Sequence, residues 1–223
     1  MKKFLCLLMV TLMIISLCGC FGDNANTDVR GEIINGDTNQ TPSDPEFSLG
    51  KAANNTYNND FLGLSCTLPA QWVFYTDEEI LALNNIVGDY MDDEIAEHIK
   101  NANIIYDMYA TVAETGENIN INLEKLTAVQ LINLDIKKTL EAQIDAIKST
   151  YQNMGYTDTQ VSYQKVSVDG KEFDALKITA KIQGIDFYGT CFTFRKGTYL
   201  TTVTISSLLT DSFDTISGCF TVK

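Results

Sequence analysis

Four strand-like segments follow one another between residues 160 and 206, and the links between them are too short for anything but turns. Residues 160–168 run into Asp169-Gly170, where both positions tolerate the positive φ that a two-residue hairpin requires. Residues 171–182 lead to Gly184, residues 185–194 to Lys196-Gly197, and residues 199–206 complete the set. Strands joined by tight turns run antiparallel, because a parallel pair needs a crossover of a dozen or more residues. The centre of this chain is therefore expected to be an antiparallel sheet.

Upstream, residues 105–114 and 117–126 flank a turn at Thr115-Gly116. In the second segment Ile119, Ile121 and Leu123 alternate with Asn118, Asn120, Asn122 and Glu124. That pattern predicts one apolar face and one solvated face, as at an edge or half-open part of a sheet. Leu62, Leu64, Cys66 and Leu68 share one face of another strand, which Pro69 ends, and Trp72 beyond it is expected in the core.

Helices are marked by caps and by a 3.6-residue period. Thr76 and Glu79 have capping-box spacing ahead of Ile80, Leu83 and Val87. Asp92 opens a second short helix with Ile95, Ile99 and Ala102 inward. Ile136, Leu140, Ile144, Ile147, Tyr151 and Met154 form the strongest apolar stripe, and Gly155 stands at its stop. Residues 211–220 read as a closing helix with Phe213, Ile216 and Phe220 on one side. The expected class is α+β, an antiparallel β-sheet flanked by helices, in a single domain over residues 54–223. A domain of that length buries about 70% of its unfolded surface and needs no disulfide to fold.

The N-terminus gives an address. Lys2 and Lys3 precede an apolar run over residues 4–17, shorter than the roughly 20 residues of a spanning helix. A short apolar core behind two lysines reads as an export signal. The following "LCGC" resembles a bacterial lipobox, with Leu17 at −3, Gly19 at −1 and Cys20 as lipid acceptor. Residues 1–19 are then a lipoprotein signal peptide, and Cys18 is discarded with it. The resemblance to lipoproteins implies a diacylglyceryl anchor on Cys20, on the extracytoplasmic face of the cell membrane. Two acyl chains give stable anchoring where one does not. Residues 20–53 are rich in Asn, Asp, Gly and Thr, lack periodicity, and read as a flexible tether.

Charge excludes some partners. Cleavage removes Lys2 and Lys3 and no acid, so the formal charge moves from −13 to −15. Such acidity opposes nucleic acid binding and attraction to anionic lipid. The expected partners are the membrane, through the lipid, and an envelope protein or polymer.

Reactive residues are few. His98 is the single histidine, four residues after Glu94, and any Ser-His-Asp or Cys-His arrangement would have to use it. It reads as a helix-flank residue with an i,i+4 carboxylate neighbour. Zinc would need Cys66, Cys191 and Cys219 to converge with it, and their spacing is unlike any finger. These cysteines read as buried thiols, with a Cys191–Cys219 or Cys66–Cys219 bridge as the alternative. Asp89, Asp92, Asp93 and Glu94 read as a helix start whose acids suit the N-terminal dipole, with a hard cation as the alternative. Asn35, Asp37, Asn39 and Glu46 have calcium-loop spacing, but Gln40 replaces the glycine and two prolines interrupt, so the match is incidental.

"FLGLSCTLPAQW", "VSVDGKEFDALKI" and "FYGTCFTFRKGTYLTTVTIS" resemble the PsbP/Mog-like fold group, and more closely the bacterial lipoproteins that carry it. The resemblance covers residues 57–223 and implies an α/β/α sandwich, with helices on both faces of the sheet. Its motifs mark turns and core positions, so no binding residue is carried over from it. The expected function is a non-catalytic binding or scaffold module with no cofactor, catalytic residue or metal site. The alternative is an envelope-associated hydrolase or metal-dependent enzyme.

Overall fold

The computed structural model describes residues 47–86, 95, 98, 99 and 101–223. Its elements run β1 (Lys51–Ala53), β2 (Thr56–Asn59), β3 (Leu64–Thr67), β4 (Val73–Phe74), α1 (Asp77–Leu83), β5 (Ile104–Val112) and β6 (Glu117–Lys125). They continue α2 (Ala128–Asn133), α3 (Ile136–Asn153), β7 (Thr157–Val168), β8 (Lys171–Ile182), β9 (Ile185–Lys196), β10 (Tyr199–Leu208), α4 (Phe213–Ser217) and β11 (Phe220–Val222).

The strands form two antiparallel sheets. The larger has seven strands in the order β4-β5-β6-β10-β9-β8-β7, and the smaller has four in the order β1-β2-β3-β11. The hairpins of residues 157–208 pair consecutively through Asp169-Gly170, Gln183-Gly184 and Gly197-Thr198, the last one residue beyond the expected Lys196-Gly197. Asp169 and Gly170 both take positive φ, as a turn of that length demands. β10 then returns to pair with β6, which joins the C-terminal hairpins to the β5–β6 pair.

The main core lies between the two sheets. Ile105, Ile119, Ile121, Leu123, Phe192 and Val203 of the large sheet meet Tyr57, Leu64, Cys66 and Phe220 of the small one. Trp72 and the helical Ile99 are buried in the same cluster. A second core sits on the opposite face, where Leu140, Ile147 and Tyr151 of α3 pack on Leu176, Ile178, Ala180 and Phe187. The α3 stripe is the one the 3.6-residue period marks, and the helix runs from its Asp135 N-cap to Met154 at the C-cap. Met154 is more than a third exposed rather than part of the stripe.

Mixed α+β with antiparallel sheets is thus what forms. One layer differs from the expectation of helices on both faces. The face opposite α3 carries the small sheet, with α4 and Ile99 beside it. The closing segment also divides: α4 ends at Ser217, and Phe220 opens β11, opposite Cys66 on β3. The expected helix over 211–220 is corrected there, because Phe220 is drawn into ladder pairing with β3.

The tether boundary at residue 53 is corrected too. β1 pairs with β2, and Phe47 stacks on Tyr199 with ring centroids 4.8 Å apart and meets Phe61 edge-on. What holds this segment is Asp107, the extra residue of a bulge in β5. Its carboxylate accepts from the Tyr57 hydroxyl, from Asn59 Nδ2 at 2.8 Å and from the Gly50 N–H at 2.6 Å. Burial raises the Asp107 pKa, and its three donors pull it back only in part. A composition rich in Asn and Gly reads as linker, but here those residues supply donors to a buried acid.

Gly50 has no room for a side chain, since a Cβ there would run into the Tyr57 ring. Gly50→Ala should therefore push Tyr57 off Asp107 and lower stability by about 1–3 kcal/mol, the usual cost of overpacking. Urea unfolding checks this, and an unchanged midpoint would show that the segment is not seated on Asp107.

Candidate functional site: a neutral polar strip on the large sheet

β6 and β10 are interior strands, paired on both sides. Ile121 stands opposite Val203 and Ile119 opposite Ile205, all facing the main core. Alternation then turns Asn118, Asn120 and Asn122, with Ser206, Thr204 and Thr202, to the other face. Three cross-strand rows result. Thr111, Asn118, Ser206 and Gly189 form the first. Tyr109, Asn120, Thr204 and Cys191 form the second, and Tyr106, Asn122, Thr202 and Thr193 the third. On this face α3 covers β7 and β8, while α1 runs along β5 with its Leu81 turned to the main core.

The expectation of a solvated asparagine face is corrected. Asn118 and Asn120 are only 1% and 2% exposed, and their neighbours Ser206, Thr202, Thr193 and Tyr109 on the same face are buried with them. Asn122, Thr204, Cys191 and Tyr106 are half-buried and form the accessible rim. Most of the polar atoms pair across strands. Asn118 Nδ2 donates to Ser206 Oγ at 2.7 Å, the Thr193 and Thr202 hydroxyls lie 3.3 Å apart, and Thr204 Oγ1 donates to Cys191 Sγ at 3.5 Å. The exception is Asn118 Oδ1, which is buried and has no partner among the described residues. Turning the amide over would only exchange which of its two atoms is left out. A buried polar atom without a partner costs about 1–3 kcal/mol.

The three rows carry no charged residue, but the next row on the same face, Ile104, Glu124, Leu200 and Arg195, carries two. At their margin Asp174 accepts from the Tyr163 hydroxyl and pairs with Lys165 at 3.8 Å. Burial pushes the Cys191 thiol above its usual pKa, which keeps it protonated and unreactive at neutral pH. Tyr106 is raised for the same reason. The strip can donate and accept hydrogen bonds, but it contains no activated nucleophile and no acid–base pair.

The other candidates lie elsewhere. His98 is exposed on a helical segment and belongs to none of the three rows. Cys66 and Cys219 pack on the main core while Cys191 borders the α3 core, so the sheet separates Cys191 from the other two. That rules out a Cys191–Cys219 bridge and a three-cysteine zinc site. Cys66 and Cys219 come near each other across β3 and β11, both as free thiols, with Cys66 pushed up to about 12 by burial. Among the described residues no three His, Cys, Asp or Glu side chains converge to hold a metal ion. Cys20, the 35–46 loop and the acidic cluster at 89–94 lie outside the described residues. Sequence reasoning misses the Thr and Ser positions of β10; the signal that could find them is the strict alternation of Thr202, Thr204 and Ser206 against Val203 and Ile205.

No family model matches the sequence, and no curated protein matches it. Among solved structures the chain is similar to LpqN, involved in cell envelope biogenesis of Mycobacterium tuberculosis. That likeness is at 9% identity over 72% of this chain and 83% of that one, with a TM-score of 0.38.

Removing the unpaired amide and its neighbour together tests how the strip is built. The double variant Asn118→Val with Ser206→Ala should unfold within about 1 kcal/mol of the parent or be more stable, since both polar partners leave at once. A loss above about 2 kcal/mol in urea unfolding would mean that the Asn118 amide is fully satisfied.

Proposed function

We propose that this chain is a membrane-anchored extracytoplasmic lipoprotein whose PsbP/Mog-like domain is a non-catalytic binding module for an envelope component. The observation that carries the reading is the neutral strip: aligned amides and hydroxyls on a rigid interior sheet, with a buried amide atom left without a partner among the described residues. Interior strands hold side chains in fixed register, which suits recognition. Catalysis needs a poised acid–base pair or an activated nucleophile held by a third group, and the strip supplies neither. Anchoring rests on the "LCGC" motif and Cys20. The residues from Phe47 onward belong to the fold, so a tether up to residue 46 is what remains to separate domain from membrane.

A photo-crosslinking amino acid at Asn122, on the rim, tests the reading in intact cells. The expected result is one discrete envelope adduct, which disappears when Thr204→Tyr fills the strip and when Cys20→Ala releases the protein from the membrane. His98→Ala should leave adduct formation unchanged. An adduct that forms equally well at an exposed position remote from the strip, such as Lys148, would overturn the reading.

A further inference from the structure

The cores make no use of α2: none of its residues is buried. Leu131 and Leu134 are half-buried, while Ala128, Val129, Ile132 and Asn133 stand exposed together on one arc of the helix. Val129 is 69% exposed and Ile132 83%, more than any other large apolar side chain among the described residues. The solvated face of a helix is ordinarily polar. α1 obeys that rule, with Asp77, Glu78 and Glu79 in its first turn and Glu79 closing its capping box. α2 closes the same box with Gln130, and residues 126–134 carry no charge at all.

We propose that α2 is a bilayer-contacting element, which lays one end of the domain on the membrane that holds Cys20. This rests on the anchoring read above and adds a second contact to it. The position of α2 is the independent observation. Phe47, where the tether gives way to the fold, stacks on Tyr199 with ring centroids 4.8 Å apart. Tyr199 stands opposite Lys125, and the Leu126 N–H donates to the Thr198 carbonyl at 2.8 Å, one residue before the Thr127 N-cap of α2. The tether therefore enters the fold at the end of the large sheet where α2 begins. Val73, paired with Thr111, and Leu209, bonded to the Asp186 carbonyl, are exposed at the opposite end.

Residues 21–46, as a coil, span about 30 Å, so an anchored chain keeps α2 within reach of the bilayer. At that effective concentration a few aliphatic side chains sustain a contact too weak to hold in free solution. The flanks suit the headgroups. Lys125, Lys137 and Lys138 surround α2 with one acid, Asp135, so residues 125–138 are net +2 in a chain of −15 once residues 1–19 are removed. Lysines beside an apolar helix can lay their stems along the interface and keep their ammonium groups at the phosphates. Lys137 and Lys138 pair with Glu141 and Asp135 at 3.8 and 3.2 Å, exposed contacts that exchange readily. A second copy of the chain fits less well. Two such acidic copies repel, and a stable protein interface buries about 1,000 Å² or more, beyond what one six-residue helix offers.

The test uses the mature lipidated chain in phosphatidylcholine nanodiscs, with dibrominated phosphatidylcholine as a quencher that acts at contact. The single tryptophan, Trp72, is buried and gives the background to subtract. In Val129→Trp the added emission should fall by about half or more on brominated lipid. In Lys148→Trp, an exposed position well along α3, it should not change. Adding Ile132→Asp to Val129→Trp should abolish the quenching at unchanged melting temperature. Fatty-acid labelling of Cys20 reads the anchor separately. A labelled chain in which the indole introduced by Val129→Trp is quenched no more than the one introduced by Lys148→Trp, or as strongly with Ile132→Asp as without it, would overturn the contact alone. A blue shift without quenching would overturn it too, and assign α2 to a protein partner. A chain that takes up no label refutes anchor and contact together.

Discussion

The pairing of β6 with β10 in the interior of the large sheet is the constraint on which the rest depends. With Ile121 opposite Val203 and Ile119 opposite Ile205, one face of both strands is committed to the core between the sheets. A shift of register by one residue would turn the whole set over, so the buried face fixes the register firmly. The opposite face is then equally fixed, and it consists of amides and hydroxyls. Half of that face, over β7 and β8, is apolar and covered by α3. The other half is polar. One sheet thus supplies both the platform of the fold and an ordered row of hydrogen-bonding groups, and no loop is needed to position them.

The N-terminal segment is fastened to the same sheet by a different device. The bulge at Asp107 places a carboxylate where Gly50, Tyr57 and Asn59 can all donate to it. Nearby, Asn84 at the end of α1 donates to the Tyr106 carbonyl and accepts from its N–H, so the backbone beside the bulge stays satisfied. Residues 47–59 are thus held twice, by the Asp107 cluster and by the Phe47 and Phe61 rings on Tyr199, the first residue of β10.

Much of this is legible in the sequence because it rests on local rules. The Asp169-Gly170 turn, the Thr76–Glu79 capping box and the α3 stripe each declare themselves within a few residues, and each forms. The alternation of Ile119, Ile121 and Leu123 is equally plain. What stays hidden is non-local. β1 and β11 are three residues long and exist because β2 and β3 pair with them. The asparagine face reads as solvated because alternation says which residues share a face, but not which side chains of neighbouring strands crowd it. That depends on β10, some eighty residues away in the chain, returning to pair with β6. The strip is therefore half visible: its asparagines stand out, while its Thr and Ser half becomes meaningful only through the pairing.

A polar zipper and a binding surface make opposite demands on one pair of residues. A polar zipper that merely holds strands together should weaken when Asn122 and Thr204 lose their polar atoms. A binding surface should lose its ligand and keep or improve its stability, since half-buried β-branched side chains suit a strand. The most direct measurement is the double variant Asn122→Val with Thr204→Val, assayed for urea unfolding and, as the anchor-free domain, for retention on isolated envelopes. If the strip is a binding surface, the unfolding midpoint will equal or exceed that of the parent and retention will be lost. A lower midpoint with retention intact would contradict it.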